Sequence, residues 1–251
     1  MMRLPDFSRR AVLVEKMDSP ECDQAMLLGT VRRFELSNLL FTRYRKVMRR
    51  HILADMRRQP GHIHRLTDLG AGGGDVVRWM VRVCRRENLK VAVRAIEQDA
   101  RIVEYARKAN ADYPEIEVCL ANACDPASWG APDYLFAQHF VHHLSDEVVI
   151  RLLADMDRVA GRGFVVNDLS RSQLAYVGFG LVAGMLGKGT YILEDGLVSI
   201  RRGFREEEIR RMVEAAGLKH ACSIYSMAPS RVVVVGGAAM GRCFCRSITH
   251  N

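Results

Sequence analysis

A carboxylate followed by glycine at every second position opens the chemistry of this chain: Asp68-Leu69-Gly70-Ala71-Gly72-Gly73-Gly74-Asp75. Gly70, Gly72 and Gly74 permit backbone conformations that a Cβ would obstruct, and they let a ligand come close to the main chain. Such a run is built to hold a nucleotide-type ligand at the first turn of an open α/β sheet. Counting Gly-x-Gly-x-x-Gly from Gly70 puts Asp75 where the third glycine belongs, which counts against NAD or FAD. No Gly-Lys-Ser/Thr follows, so a Walker phosphate loop is excluded. Glu97, Asn122, His142 and Asp168 each end or follow an apolar run downstream. A hydroxyl is a poor nucleophile unless something takes its proton, and histidine suits that task because its unperturbed pKa lies near neutrality.

The elements that position these residues are legible from periodicity. Strands are predicted at 63–67, 91–96, 116–121, 133–138 and 164–168, with a closing pair at 223–226 and 231–235. Helical spacing occupies 76–83, the stretch holding Ile150, Leu153, Met156 and Val159, and 205–213 with a stop at Gly217. The expectation is an α/β fold, a Rossmann-like seven-stranded sheet with helices on both faces. In an open sheet of this kind ligands lie beyond the carboxyl ends of the strands, where strand order reverses. Gly70, Glu97, Asn122, His142 and Asp168 all fall on that side.

Asp68-x-Gly70-x-Gly72-x-Gly74 resembles motif I of the class I methyltransferases that use S-adenosylmethionine, and the likeness runs from about Gly61 to Val235. It implies that Asp68, Gly70, Gly72 and Gly74 line the cofactor, and that Glu97 binds both ribose hydroxyls, with Gln98 beside it. It places Asn122-Ala123 where the family commonly has Asp-Ala at the adenine edge. His139 would flank the adenine or the sulfonium, and S-adenosylhomocysteine would be the product. Phe140-Val141-His142-His143-Leu144 resembles the Leu-His-His-Leu segment of many small-molecule methyltransferases. Related O-methyltransferases carry the first histidine of the doublet with an aspartate ending strand five. The resemblance therefore implies His142 as general base, Asp168 as its orienting partner, and His143 pointing elsewhere. Some members keep the doublet only as packing beneath the cofactor. Arg171 is a further candidate, for an anionic group on the substrate.

Composition fits one enzyme-sized domain of 251 residues. No apolar run is long enough to span a bilayer, and the start Met1-Met2-Arg3-Leu4-Pro5-Asp6 has no secretory pattern. Seven cysteines, odd in number and mostly inside predicted elements, suggest reduced thiols in a cytoplasm. Cys243-x-Cys245 has no second pair at zinc spacing, so no metal is expected. The net charge of +8 raises nucleic acid as a partner, but no aromatic stacking pattern accompanies it. The basic residues between Arg43 and Arg58 interleave with Leu39, Leu40, Val47, Met48, Ile52 and Leu53, as on an amphipathic helix with its charges in water. Arg201, Arg202, Arg205, Arg210 and Arg211 are read the same way.

Residues 1–60 are expected to form an N-terminal helical lid: a disordered start, then two helices, the first entered at Ser19-Pro20. Residues 61–251 form the methyltransferase core, with a helical cap inserted after strand five at about 169–203. Its segment Leu174 to Leu186 is apolar nearly all round, so it should pack over the pocket mouth, dock to a partner chain such as a second copy, or touch a membrane surface; Gly187-Lys188-Gly189 offers a hinge. Apolar lids suggest a hydrophobic small-molecule acceptor, phenolic or polyketide-like, methylated on a hydroxyl. Met17-Asp18-Ser19-Pro20 and Ser199-Ile200-Arg201-Arg202-Gly203-Phe204 are similar to bacterial methyltransferases of the ubiquinone/menaquinone group. A C-methyltransferase of a quinone or isoprenoid precursor is the alternative, with an RNA or protein methyltransferase third.

Overall fold

The computed structural model describes residues 5–186 and 188–240. Strands β1 (Ile63–Leu69), β2 (Lys90–Glu97), β3 (Ile116–Leu120), β4 (Tyr134–Gln138), β5 (Gly163–Leu169), β6 (Cys222–Met227) and β7 (Arg231–Gly236) form one sheet ordered β3-β2-β1-β4-β5-β7-β6. β1 to β5 run parallel, while β7 is antiparallel to both β5 and β6. Strand order reverses between β1 and β4, and the crevice opens there. The helices are α1 (Gln24–Phe41), α2 (Tyr44–Met48), α3 (Ala54–Met56), α4 (Asp75–Arg86), α5 (Ala100–Ala109), α6 (Asp146–Val159), α7 (Gln173–Leu186), α8 (Ile192–Arg202) and α9 (Glu206–Ala215).

Two apolar layers sandwich the sheet. On one face Met48, Ile52, Met56, Val77 and Met80 pack on Leu66, Phe136 and Val233. On the other, Leu152, Met156, Ile209 and Val213 pack on Leu135, Phe164 and Val234. Because both faces are covered, β4, β5 and β7 are buried along their whole lengths and are apolar on both faces except at their cavity ends, where Gln138, Asn167, Asp168 and Arg231 stand.

The N-terminal region differs from its sequence reading in three places. Helix α1 begins at Gln24 rather than at Ser19-Pro20, because the Asp23 side chain accepts from the Met26 N–H and caps it, a contact worth about 1 kcal/mol. The amphipathic stripe does not include Leu39 and Leu40, which are 45% and 47% exposed. Arg43 adopts a left-handed φ of 55° between α1 and α2 and breaks the helical phase there. Beyond it α2, a π-helical turn at Arg49–Leu53 and α3 run on continuously, burying Tyr44, Val47, Met48, Ile52, Leu53 and Met56.

The third difference is the expected disordered start, which is an extended strap over the carboxyl end of the sheet. Ala11 N–H donates to Arg201 O at 3.0 Å. Arg202 donates to the carbonyls of Leu13, His142 and His143, and Arg10 to those of His142 and Leu144. The Asp195 carboxylate accepts from the N–H groups of Lys16 and Met17 at 2.7 and 3.0 Å. Arg202 is thus a clamp for the strap and not part of a solvated basic face.

Helix α7 lies over the crevice. Its inner side packs Tyr176 and Phe179 with Phe7, Leu169 and Ile200, while Leu174 and Leu181 are 85% and 72% exposed. Gly196 of α8 lets the Phe179 ring rest on the α8 backbone: a Cβ there would come 2.3 Å from the ring. Among the described residues no helix is long and apolar enough to cross a membrane, and Cys22, Cys84, Cys119, Cys124 and Cys222 are free thiols. The hinge residue Gly187, the pair Cys243 and Cys245, and the start Met1 to Leu4 lie outside the described residues.

Candidate active site

A cavity of about 720 Å³ occupies the crevice. Its floor is the glycine turn between β1 and α4. Gly70 has φ +72°, and a Cβ there would sit 2.6 Å from the Phe140 ring, so the β1 and β4 loops close on each other only through glycine. Gly72 N–H donates to Glu97 Oε2 at 3.1 Å, and Glu97 Oε1 accepts from the N–H groups of Gln98 and Asp99 at 2.8 and 2.9 Å. Burial raises the Glu97 pKa, and these backbone bonds offset only part of that rise.

Asp68, Asp75 and Glu97 together make this floor an acidic pit. Burial lifts Asp68 well above the ordinary carboxylate range, and repulsion from Asp75 and Glu97 adds to the rise. Its Oδ1 is buried with no hydrogen-bond partner in the protein. Asp75 is raised by burial as well, although Asn38 donates to it at 3.0 Å. Such a pit favours a cationic ligand, and S-adenosylmethionine, with its sulfonium and its ammonium, fits the donor set. Gln98, Asn122 and Ala123 line the same cavity. Asn122 Oδ1 accepts from Cys124 N–H at 2.9 Å.

Gly74 is not part of the cavity wall. It stands at the N-cap of α4 with φ 74°, and Asn110 fills the space a Cβ would take at 2.6 Å.

Across the cavity the strap, the β4 loop and α8 assemble a polar cluster. His142 and Asp168 meet as expected, with Nδ1 2.7 Å from Asp168 Oδ1. Asp168 Oδ2 also accepts from the N–H groups of Phe140, Val141 and His142, fixing the loop. His142, however, is fully buried and its Nε2 faces Glu15 Oε1 at 3.5 Å. Ser199 Oγ donates to the same oxygen at 2.6 Å. Burial opposes charge on His142, but Asp168 and Glu15 outweigh it and push its pKa up to about 9. Glu15 answers in kind: burial would raise it, yet His142, His143 and Ser199 bring it down to about 2. The His142 ring thus stands between two carboxylates, Asp168 on one side and Glu15 on the other, and links them.

His143, expected to point elsewhere, faces the cavity. It lines the cavity together with Glu15 and Asp18, its Nδ1 lies 3.0 Å from Asp18 Oδ2, and its Nε2 lies 3.8 Å from Glu15 Oε1. The two adjacent residues divide because they occupy a short 3-10 turn, Val141–His143, which sends one ring inward and the next outward.

His139 also lines the cavity, at φ 54°. Burial, with the nearby His142 and Arg231 charges, pushes its pKa well below the usual value. Its neutral ring therefore accepts from Arg231 Nη1 through Nδ1 at 3.2 Å, and Nε2 carries the proton. Arg231 is fully buried, donates to Asn167, and is lowered to about 10 by that burial despite the Asp168 charge. Arg171 does not reach a substrate: its buried guanidinium is bidentate to Glu208 and donates to Phe7 O and Gly203 O.

Sequence reasoning missed Glu15, Asp18, Asp195, Ser199 and Arg231. Arg231 left a signal, a charged residue heading a run of four valines, and Asp18 and Ser199 lay in the two segments similar to the ubiquinone/menaquinone group without a role assigned to them.

The fold is that of the class I, S-adenosylmethionine-dependent methyltransferases, and residues 67–185 match the family described as "Methyltransferase domain". A search of curated proteins found no match. Among solved structures, the fold is similar to that of the CurJ carbon methyltransferase, with TM-score 0.60 and 15% identity, over 87% of this chain and 62% of that one. It is similar to an O-methyltransferase from Nostoc punctiforme PCC 73102, with TM-score 0.57 and 15% identity, over 91% and 64%. Human N-acetylserotonin methyltransferase in complex with SAM gives 0.56 and 14% over 82% and 54%. The chain spans between about half and two thirds of these proteins' lengths.

Proposed function

We propose that this enzyme methylates a hydroxyl of a hydrophobic, phenolic or polyketide-like small molecule. The observation that carries the reading is the cavity's division. An acidic glycine floor suited to S-adenosylmethionine lies on one side, and the Glu15, His143 and Asp18 cluster on the other. Phe34, Phe41, Phe140, Leu144 and Phe179 form the walls between them.

S-adenosylmethionine bound on the floor supplies an electrophilic methyl group. Asp68 and Glu97 hold its cationic and ribose parts, and Asn122 and Ala123 border the adenine. The aromatic walls exclude water and align an acceptor ring, which matters because methyl transfer is an in-line displacement. The acceptor hydroxyl meets Glu15, Asp18 and His143, the groups of the cluster that line the cavity, and His143 takes its proton as the O–C bond forms and the S–C bond breaks. His142 and Asp168 hold Glu15 in place from behind. The O-methyltransferase among the structural neighbours accords with this chemistry.

Incubation with labelled S-adenosylmethionine and a panel of phenols, quinols and RNA tests it. Labelled phenol ether supports the reading. A carbon-methylated product would move it to the quinone-type alternative, the chemistry named for the CurJ domain. Label on RNA, with affinity falling steeply in salt, would overturn it.

A further inference from the structure

The Glu15, His142 and His143 cluster has a second chemistry. Both imidazoles point Nε2 at the same carboxylate oxygen, at 3.5 and 3.8 Å. The three ligand atoms Glu15 Oε1, His142 Nε2 and His143 Nε2 all lie within 4.8 Å of one another. Metal-bound nitrogen and oxygen at roughly 2.0–2.1 Å in a tetrahedron stand about 3.3 Å apart, so a cation would require only a small contraction.

The outer contacts are those a metal centre needs. Each histidine engages a carboxylate through its other nitrogen: His142 Nδ1 with Asp168 at 2.7 Å, and His143 Nδ1 with Asp18 at 3.0 Å. Those bonds hold both rings with Nε2 toward the shared oxygen, and a cation bound there would displace the proton that His142 Nε2 carries in its absence. Ser199 Oγ orients the carboxylate at 2.6 Å. His142 Nε2 is moreover a fully buried nitrogen with no hydrogen-bond partner, aimed at the middle of the group.

We propose that Glu15, His142 and His143 form a site for a first-row divalent cation of the zinc type, open on the cavity side where an acceptor oxygen can bind. Two imidazoles and one carboxylate suit such an ion better than calcium or magnesium, which prefer oxygen. Three protein ligands leave a coordination position free, as catalytic rather than structural sites do. This deepens the methylation reading, since the ion would hold the acceptor oxygen at the place already argued. The other histidine cluster, His62, His64 and Asp133, is not comparable. Its Asp133 Oδ2 is bound to Arg65 N–H, and its His64 Nε2 lies 3.1 Å from Gln59 O.

The test is chelator treatment of the full chain, then titration with Co²⁺ and Zn²⁺, read by Co²⁺ visible absorption and by equilibrium dialysis. One ion per chain with Co²⁺ bands is expected. His143→Ala and Glu15→Gln should abolish the bands, and Asp18→Asn should weaken affinity roughly 10- to 100-fold. His62→Ala should leave both readouts unchanged. Circular dichroism and S-adenosylhomocysteine binding check that each variant is folded. Failure to take up Co²⁺ or Zn²⁺, or uptake indifferent to His143→Ala and Glu15→Gln in folded protein, overturns the site. Neither result depends on turnover, so the methylation reading stands or falls separately by the labelled panel.

Discussion

The Ser199 hydroxyl donates to Glu15 Oε1 over 2.6 Å, joining an N-terminal strap to a helix 184 residues further along the chain. With Asp195 holding the next two backbone amides, this bond fixes the carboxylate that faces both histidines. The strap is therefore part of the site.

Removing that carboxylate's charge tests its importance. Glu15→Gln leaves the buried His142 charge with Asp168 alone. Breaking a buried pair from one side costs about 3–5 kcal/mol, and Ser199→Ala should cost about 1 kcal/mol. Urea denaturation measures both, and equal stability of Glu15→Gln and the parent would refute the arrangement.

The histidine doublet should separate by kinetics. His143→Ala is expected to reduce kcat by roughly 10²–10³ with little loss of stability, because its ring lines the cavity. His142→Ala should lower stability and turnover together. Steady-state rates alongside thermal denaturation decide the matter; full turnover by folded His143→Ala would contradict the placement.

Stability should depend on pH with a definite sign. His142 is raised in the folded state, from 6.5 to about 9. Its contribution is complete below pH 6.5 and is lost as pH rises through about 9, a loss on the order of 3 kcal/mol. Glu15 is lowered from 4.5 to about 2, so its contribution holds above pH 4.5 and fades as pH falls through about 2. The urea midpoint should decline between pH 6.5 and 9 in the parent, and less so in His142→Gln.

Cofactor affinity should follow Asp68. Its folded pKa is raised above 3.8, so the unliganded protein loses stability as pH climbs from there through the raised value. A cation favours the ionised form, so S-adenosylmethionine should bind more tightly over the same rise. Asp68→Asn should flatten that trend in calorimetry. Glu97→Gln, which removes a charged hydrogen-bonding partner of the ribose, should weaken affinity by roughly 10- to 100-fold.

Gly196→Ala would drive a methyl group into the Phe179 ring, 2.3 Å from the built Cβ. Displacing Phe179 should raise KM for the acceptor while leaving cofactor affinity unchanged. A parallel loss of both would show that α7 and α8 support the whole cavity rather than its acceptor half.

The sequence by itself determined the sheet and brought the glycine turn, Glu97 and Asn122-Ala123 to one cavity at its carboxyl edge. The glycine turn, Glu97 and Asn122-Ala123 each sit where a strand meets a loop, so local periodicity and a short motif locate them, and the pairing of His142 with Asp168 follows from adjacent parallel strands. The packing of Gly74 against Asn110 was not legible, because it depends on α5, a separate element. Only the tertiary structure decided the acceptor half. Glu15 and Asp195 carry no local pattern, and the segments holding Asp18 and Ser199 do not say what they face: the meeting of all four depends on an extended strap held by side-chain and backbone hydrogen bonds to residues more than a hundred positions away. The split between His142 and His143 is of the same kind. Two neighbouring histidines are alike as letters, and the direction of each ring is set by a single 3-10 turn and by the carboxylates packed around it.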